Sequence, residues 1–440
     1  MLAFLEPLEE LADYQEIVRK RGKAEGILQI AGCVSSQKTH LMYALGDGFE
    51  YRVIVFSSEE KAKQAYEEYK MLEENTFLYP AKDLLFYHAD IKGAALTGKR
   101  MEVLKKLTEK KNREPVTVIT TADAFLDGLP SKEKLWESPI EIEAGAVIDF
   151  QKLQEELVHL GYERESQIEG PGQFAVRGGI LDVYPLTEEI PVRIELWGDE
   201  IDSIRSFDVE SQRSVENMEQ VVIYPATENV EKEEQAVSFA EYFPKEKSLF
   251  FFDEPVRLQE TLEAVEKEYF HSFESRKNAG MTEEADEIRV FQTKEIIEKF
   301  NTRYGIGLTT LETRCGGFKV RDVYSIQAAG VNPYNNSFEM LTQDLKKLKR
   351  QGYRVILVSG SRTRAKRLAE DLRDYDLSSF YSEDMVRTVR PGEIMVVYGC
   401  VAEGYEYPML KFMVISESDI FGKRKKKRRR KVYEGQKIQE

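Results

Sequence analysis

Residues Gly172 to Val215, GQFAVRGGILDVYPLTEEIPVRIELWGDEIDSIRSFDVESQRSV, decide how the rest of this chain is read. Val176, Ile180, Val183, Val192, Ile194, Leu196 and Ile201 are the apolar positions of short runs broken by Gly178-Gly179, Pro185 and Gly198-Asp199, the pattern of a small antiparallel sheet. Successive side chains of a strand point to opposite faces. In VRIELW, Val192, Ile194 and Leu196 therefore share one side, and Arg193, Glu195 and Trp197 the other. A large aromatic among charges suits a binding hot spot, and it also suits a tryptophan that merely covers a sheet edge.

On the N-terminal side of this stretch, the apolar runs ILQIAG, RVIVF, TFLYP and VTVIT alternate with helical patterns from about 38 onward and over 59–73, 97–107 and 122–126. Such alternation predicts a parallel α/β sheet. The strand-rich segment from about Ile140 through VVIYPA, opened by an amphipathic helix over 150–160, reads as a separate α+β module. SLFFFDEP, Ser248 to Pro255, is again a continuous apolar run of the kind buried in parallel sheets, followed by a helix over 256–269. From about Asn332 a further unit alternates helices over 339–351 and 362–375 with the strands YRVILVSG, EIMVVYG and FMVIS. The expected organisation is a discontinuous α/β domain, 1–138 and 246–330, an inserted module at 139–245, a smaller α/β domain at 331–420 and a basic linker at 421–440.

With 42% hydrophobic and 32% charged residues in 440, the chain has the composition of a soluble globular protein. No apolar run is long enough to span a membrane, and MLAFLEPLEELADY lacks the basic region of a signal peptide, so a cytoplasmic monomer is expected. Cys33, Cys315 and Cys400 are widely spaced, and His40, His88, His159 and His271 show no ligand spacing. Neither disulfides nor a structural metal is expected. The net charge of −15 hides nine consecutive basic residues, Lys423, Arg424, Lys425, Lys426, Lys427, Arg428, Arg429, Arg430 and Lys431, so the remainder carries −24. The body repels nucleic acid, whereas the basic run reads as a solvated linker with weak nucleic-acid contact as a secondary property.

GCVSSQKT, Gly32 to Thr39, follows the first strand and precedes a helix, which is the context of the phosphate-binding loop GxxxxGK[ST]. Gln37 stands where that loop needs its second glycine, a point of tight turning and close phosphate approach. Lys38 and Thr39 remain to reach phosphate and magnesium, and Asp253-Glu254 could hold the ion through water. Alternatively, Lys38 is a solvent-exposed residue at a helix start, and Asp253-Glu254 cap the next helix. The expectation is a relic loop in which ATP and magnesium binding is lost. No nucleophile arrangement of the serine or cysteine type appears, and His40 reads as a helix surface residue.

FAVRGGILDVYP, VRIELWGDEIDSIRSFDVESQRS and the late ISESDIFGKRKKKRR resemble the bacterial transcription-repair coupling factors and, through them, the excision-repair helicase UvrB. The resemblance covers nearly all of the chain. It implies a UvrB-like, degenerate P-loop domain carrying an inserted α+β module that docks on the damage-recognition ATPase UvrA, followed by a smaller α/β domain. Carried over position by position, it implies that Arg177, Arg193 and Trp197 bind UvrA, with tryptophan at a place where the family often has phenylalanine. UvrB itself has an intact P-loop and a long tyrosine-rich hairpin. Here AKDLLFYHADIKGAAL holds only Phe86 and Tyr87 as aromatics, so damage verification by aromatic wedging is expected to be lost. Family members continue into domains for RNA polymerase, double-stranded DNA translocation and regulation, which VYEGQKIQE cannot hold; a fragment, or parts supplied elsewhere, is expected. The function so implied is non-catalytic recruitment of excision repair. The alternatives are a P-loop ATPase or helicase-like enzyme with weak residual nucleotide binding, and a nonspecific DNA binder acting through the basic run.

Overall fold

A computed structural model describes all residues except 1, 83, 85–92, 109–113, 136–138, 189, 228–235, 281–289, 384–385 and 423–440. Phe86, Tyr87 and the basic run from Lys423 to Lys431 thus lie outside the described residues. The chain divides into two compact units, one of residues 12–33 and 38–326, the other of 1–11, 34–37 and residues from 327 onward.

The first unit begins its sheet with β1 (Gly26–Ala31), β2 (Tyr51–Phe56), β3 (Thr76–Tyr79) and β4 (Val116–Thr121). The chain then builds β5 (Ile140–Glu143), β6 (Glu163–Glu165), β7 (Gln173–Arg177), β8 (Ile180–Val183), β9 (Val192–Trp197), β10 (Glu200–Phe207), β11 (Ser214–Met218) and β12 (Gln220–Ile223) as an insert. It returns with β13 (Ser248–Asp253), β14 (Tyr304–Leu308) and β15 (Val320–Ser325). These last three join the first four in one seven-stranded sheet of order β15-β1-β14-β13-β2-β4-β3, parallel throughout. β13 sits in its middle and every one of its residues is buried, which is why SLFFFD needs no polar alternation. The helix that follows, Pro255–Asn278, runs nine residues beyond the 256–269 expected, because Leu258, Leu262, Tyr269 and Phe273 keep one apolar face in the core along its length.

In the insert, β12 pairs antiparallel with β5, Ile223 opposite Ile140, so the segment's entry and exit lie side by side. The remaining strands form a six-stranded sheet of order β11-β10-β9-β8-β7-β6, antiparallel except for the β6–β7 pair. The helix Phe150–His159, capped by the Asp149 carboxylate accepting from the Gln151 and Lys152 amides at 3.0 Å each, sets Leu153 and Leu157 against one sheet face. There they meet Phe174, Leu181, Val183, Val192, Ile194, Ile201 and Ile204. Burying each such side chain contributes roughly 1.5–3 kcal/mol. The opposite face holds only a small apolar cluster, Ile168, Ala175 and Phe207 with Tyr184 beside them. That face is where the polar positions of the alternation go.

The second unit carries β16 (Ala329–Gly330), β17 (Arg354–Ser359), β18 (Ser379–Ser382), β19 (Ile394–Tyr398), β20 (Tyr405–Tyr407) and β21 (Phe412–Ser416), in the order β16-β20-β21-β17-β19-β18. The helices Phe338–Arg350 and Arg362–Arg373 pack Leu341, Leu345, Leu368 and Leu372 into its core with Val355, Leu357 and Val396. No helix among the described residues is long and apolar enough to cross a membrane.

Candidate functional site

Register brings the polar face of the insert together. Ala175, Asp182, Arg193 and Arg205 lie opposite one another across β7 to β10. The next row outward is Arg177, Ile180, Glu195 and Ser203. Trp197 ends β9 two residues beyond Glu195 and is therefore on the same face. Its side is 85% exposed, whereas Val192 and Ile194 are buried on the opposite side, as alternation predicts.

Asp182 organises this face although it is 1% exposed. Its Oδ1 accepts from Arg193 Nε at 2.6 Å, and its Oδ2 accepts from Arg193 Nη2 at 2.9 Å and from Arg177 Nη2 at 2.8 Å. A fork-to-carboxylate pair of this kind is the strong form of an ion pair. Arg193 Nη2 also donates to Gln212 Oε1 at 2.8 Å, and the guanidinium carbon lies 4.3 Å from the Phe207 ring centroid. The bond to Asp182 holds Arg193 above the ordinary arginine range. In the next row Glu195 accepts from Arg205 and from Ser203 Oγ, which neutralises its carboxylate.

The degenerate loop is built differently. The helix Ser35–Leu45 starts only three residues after β1, so Gln37 and Lys38 lie within its first turn. Gln37 is fully buried, and its Oε1 accepts the Val34 amide at 3.1 Å, taking a donor that a phosphate would need. Lys38 is 7% exposed, which corrects its reading as a solvent-exposed residue. Its Nζ donates to Asp253 Oδ1 and to Glu254 Oε1, both at 2.6 Å. Lys61 Nζ donates to Asp253 Oδ2 at 3.0 Å, and the Thr310 amide and hydroxyl both donate to Glu254 Oε1 at 2.8 Å. Burial pulls the Lys38 ammonium down, but the two carboxylates outweigh it and leave it raised. Burial likewise pushes the Glu254 carboxyl up, and Lys38 and Thr310 reverse that to a net lowering.

Two further expectations are corrected here. Glu254 occupies the cap position of its helix, but its side chain makes no capping bond and is turned to Lys38 and Thr310 instead. His40, expected at a helix surface, is buried at 5% exposure together with Thr39 at 6%, because this helix is covered on nearly all sides. Gly32 keeps the positive φ of +86° that a tight strand-to-helix turn requires. The structure therefore joins Lys38 to Asp253-Glu254 as the sequence suggested, but in a direct ion pair, and it joins Arg177 to Arg193 through Asp182. Sequence reading missed Asp182, Gln212, Phe207, Lys61 and Thr310. No group of side chains among the described residues has the makings of a metal site.

Comparison with known proteins agrees with this anatomy. A family model for the UvrB interaction domain matches residues 140–229, the span from the first residue of β5 to just past β12. The transcription-repair-coupling factor of Bacillus subtilis (strain 168) is 24% identical over 96% of this chain, and those of Staphylococcus aureus strains bovine RF122 / ET3-1 and USA300 are 27% and 28% identical over 82% of it. The chain spans 41% of the length of the first of these relatives and 35% of the other two. Residues 140–229 are thus similar to the UvrB interaction domain, within a chain that is similar along most of its length to the transcription-repair-coupling factors.

Proposed function

We propose that the insert is a docking module for UvrA, and that Arg177, Arg193 and Trp197 form the surface through which it helps recruit excision repair to stalled transcription. The observation that carries this reading is the placement of Trp197, 85% exposed and on the same face as both arginines. An indole held out in water on a rigid strand exposes a large apolar area that a partner can bury, and tryptophan and arginine are the residue types that dominate interface energies. The match to the UvrB interaction domain and the similarity to transcription-repair-coupling factors support a role in coupling repair to transcription. Titration of purified UvrA with this chain and with a Trp197→Ala variant tests it. Equal affinities for the two sink the assignment.

We further infer that the loop from Gly32 to Thr39 takes no nucleotide and that the chain acts by binding rather than by hydrolysis. Lys38 is already held by two carboxylates, and a triphosphate would have to displace both while leaving Glu254 and Asp253 beside its own negative charge. Nucleotide binding measured with and without magnesium decides the matter. Tight binding that disappears in Lys38→Ala overturns this inference.

A further inference from the structure

The two arginines of the docking face are not equivalent. A guanidinium has five N–H donors. On Arg193, Nε and both hydrogens of Nη2 are engaged within the module, one flat side is covered by Phe207, and the side chain is 15% exposed. Arg177 makes one bond, from Nη2 to Asp182, and its side chain is 49% exposed. It therefore keeps four N–H groups for a partner. Register adds a second distinction. Arg193 stands in the inner row beside buried Asp182, whereas Arg177 stands in the outer row with half-buried Ile180, toward the end of the sheet where Trp197 projects.

We infer that Asp182 and Arg193 are a mount that aims Arg177, and that Arg177, Ile180 and Trp197 are the strip that meets the partner, reading a carboxylate set beside an apolar surface. This rests on the docking reading above and assigns the roles within it. Charge at the mount fits: two arginines face the single Asp182 carboxylate, so one positive charge is in excess there, and the more exposed of the two arginines is Arg177. Asp182 and Arg193 are then positioning residues. Removing the Asp182 charge deletes no atom of the strip itself; it loosens the Arg193 fork and, with it, the direction in which Arg177 points.

The experiment is a double-mutant cycle read by titration of UvrA with the whole chain. Arg177→Ala is expected to weaken binding about tenfold or more. Asp182→Asn, which keeps the shape and removes the charge, is expected to weaken it comparably, with a lowered melting temperature that still lies above the temperature of the titration. The double variant is expected to bind no more weakly than Arg177→Ala alone, because a mount has no effect once the arm is gone. Losses that simply add, or an unaltered affinity for Asp182→Asn, overturn the inference. Should Asp182→Asn fail to fold, Arg193→Lys replaces it in the same cycle, since a single ammonium keeps the charge and cannot engage both carboxylate oxygens in the fork geometry. Wild-type chain that does not bind UvrA at all overturns the docking reading and this inference with it, whereas wild-type binding with additive losses overturns the mount alone.

Discussion

The Lys38 site and the Arg193 site are variations on one arrangement: a carboxylate within 2% of complete burial, gripped by two basic side chains. At Asp253 the cations are lysines, and a second carboxylate, Glu254, closes the set so that two positive charges face two negative ones. Lys38 offers three donors and is 7% exposed, so nothing of it faces outward. At Asp182 the cations are arginines facing a single carboxylate, and one of them keeps donors and exposure to spare. Lys61 is itself 43% exposed, so what separates the clusters is charge and the burial of Lys38: two cations face two carboxylates at Asp253-Glu254, and two face one at Asp182. Residue type carries much of the difference, because a planar fork can hold a carboxylate with one edge and present the rest elsewhere, whereas an ammonium is a point charge.

The largest effect that separates the two is expected for Arg193→Ala. It strips Asp182 of its fork and uncovers Phe207, so the module should lose about 4 kcal/mol of stability and UvrA affinity should fall with it; denaturant unfolding and titration check both. Lys38→Ala should destabilise by about 3 kcal/mol, because Asp253 and Glu254 stay buried with Lys61 as the remaining cation, yet UvrA affinity should not change. A loss of UvrA affinity in Lys38→Ala would break the division between the sites. Trp197→Ala inverts the pattern: about 2 kcal/mol of affinity lost, with unfolding stability within about 0.5 kcal/mol of wild type, since the ring is 85% exposed.

The smallest effect is a pH dependence peculiar to the closed site. Glu254 is lowered on folding, so its contribution is present above the ordinary carboxylate range and is lost as pH falls through its folded value. Lys38 is raised, so its contribution is complete below the ordinary lysine range and fades only as pH rises beyond it. Melting temperature followed into acid should therefore fall, and Glu254→Gln should flatten part of that fall. An identical acid profile for wild type and Glu254→Gln would show that the pair does not couple to folding.

How much of this could be read from residues follows from local geometry. Gly178-Gly179 joins Arg177 to Ile180 through a two-residue turn, which by itself fixes Ala175 opposite Asp182. The pairing of Asp182 with Arg193 is another matter, because residues 184–191 connect β8 to β9 and a connection of that length sets no register. The role of Asp182 as the shared acceptor is therefore not legible from LDV alone. The faces of β9 were legible because burial on one side forces a period of two, and Val192 and Ile194 are buried while Arg193 and Glu195 are only half-buried. Lys38 was misjudged because its burial depends on β13 and β14 lying beside β1, a strand order that reading outward from the loop does not reveal. The capping role given to Glu254 failed for the same reason: its partner Thr310 comes from the end of β14, more than fifty residues along the chain.

The pairing of Ile140 with Ile223 has a consequence of its own. It gives the insert a narrow neck, its first and last strands side by side, and the closure of the long loop between is made by the insert's own strands. Beyond its two ends the module touches the host through Leu186, which joins the host core, and through Glu188, which pairs with Lys105. A segment attached in this way behaves as a cassette: it can change its surface, and so its partner, without disturbing the register of the seven parallel strands that hold it up.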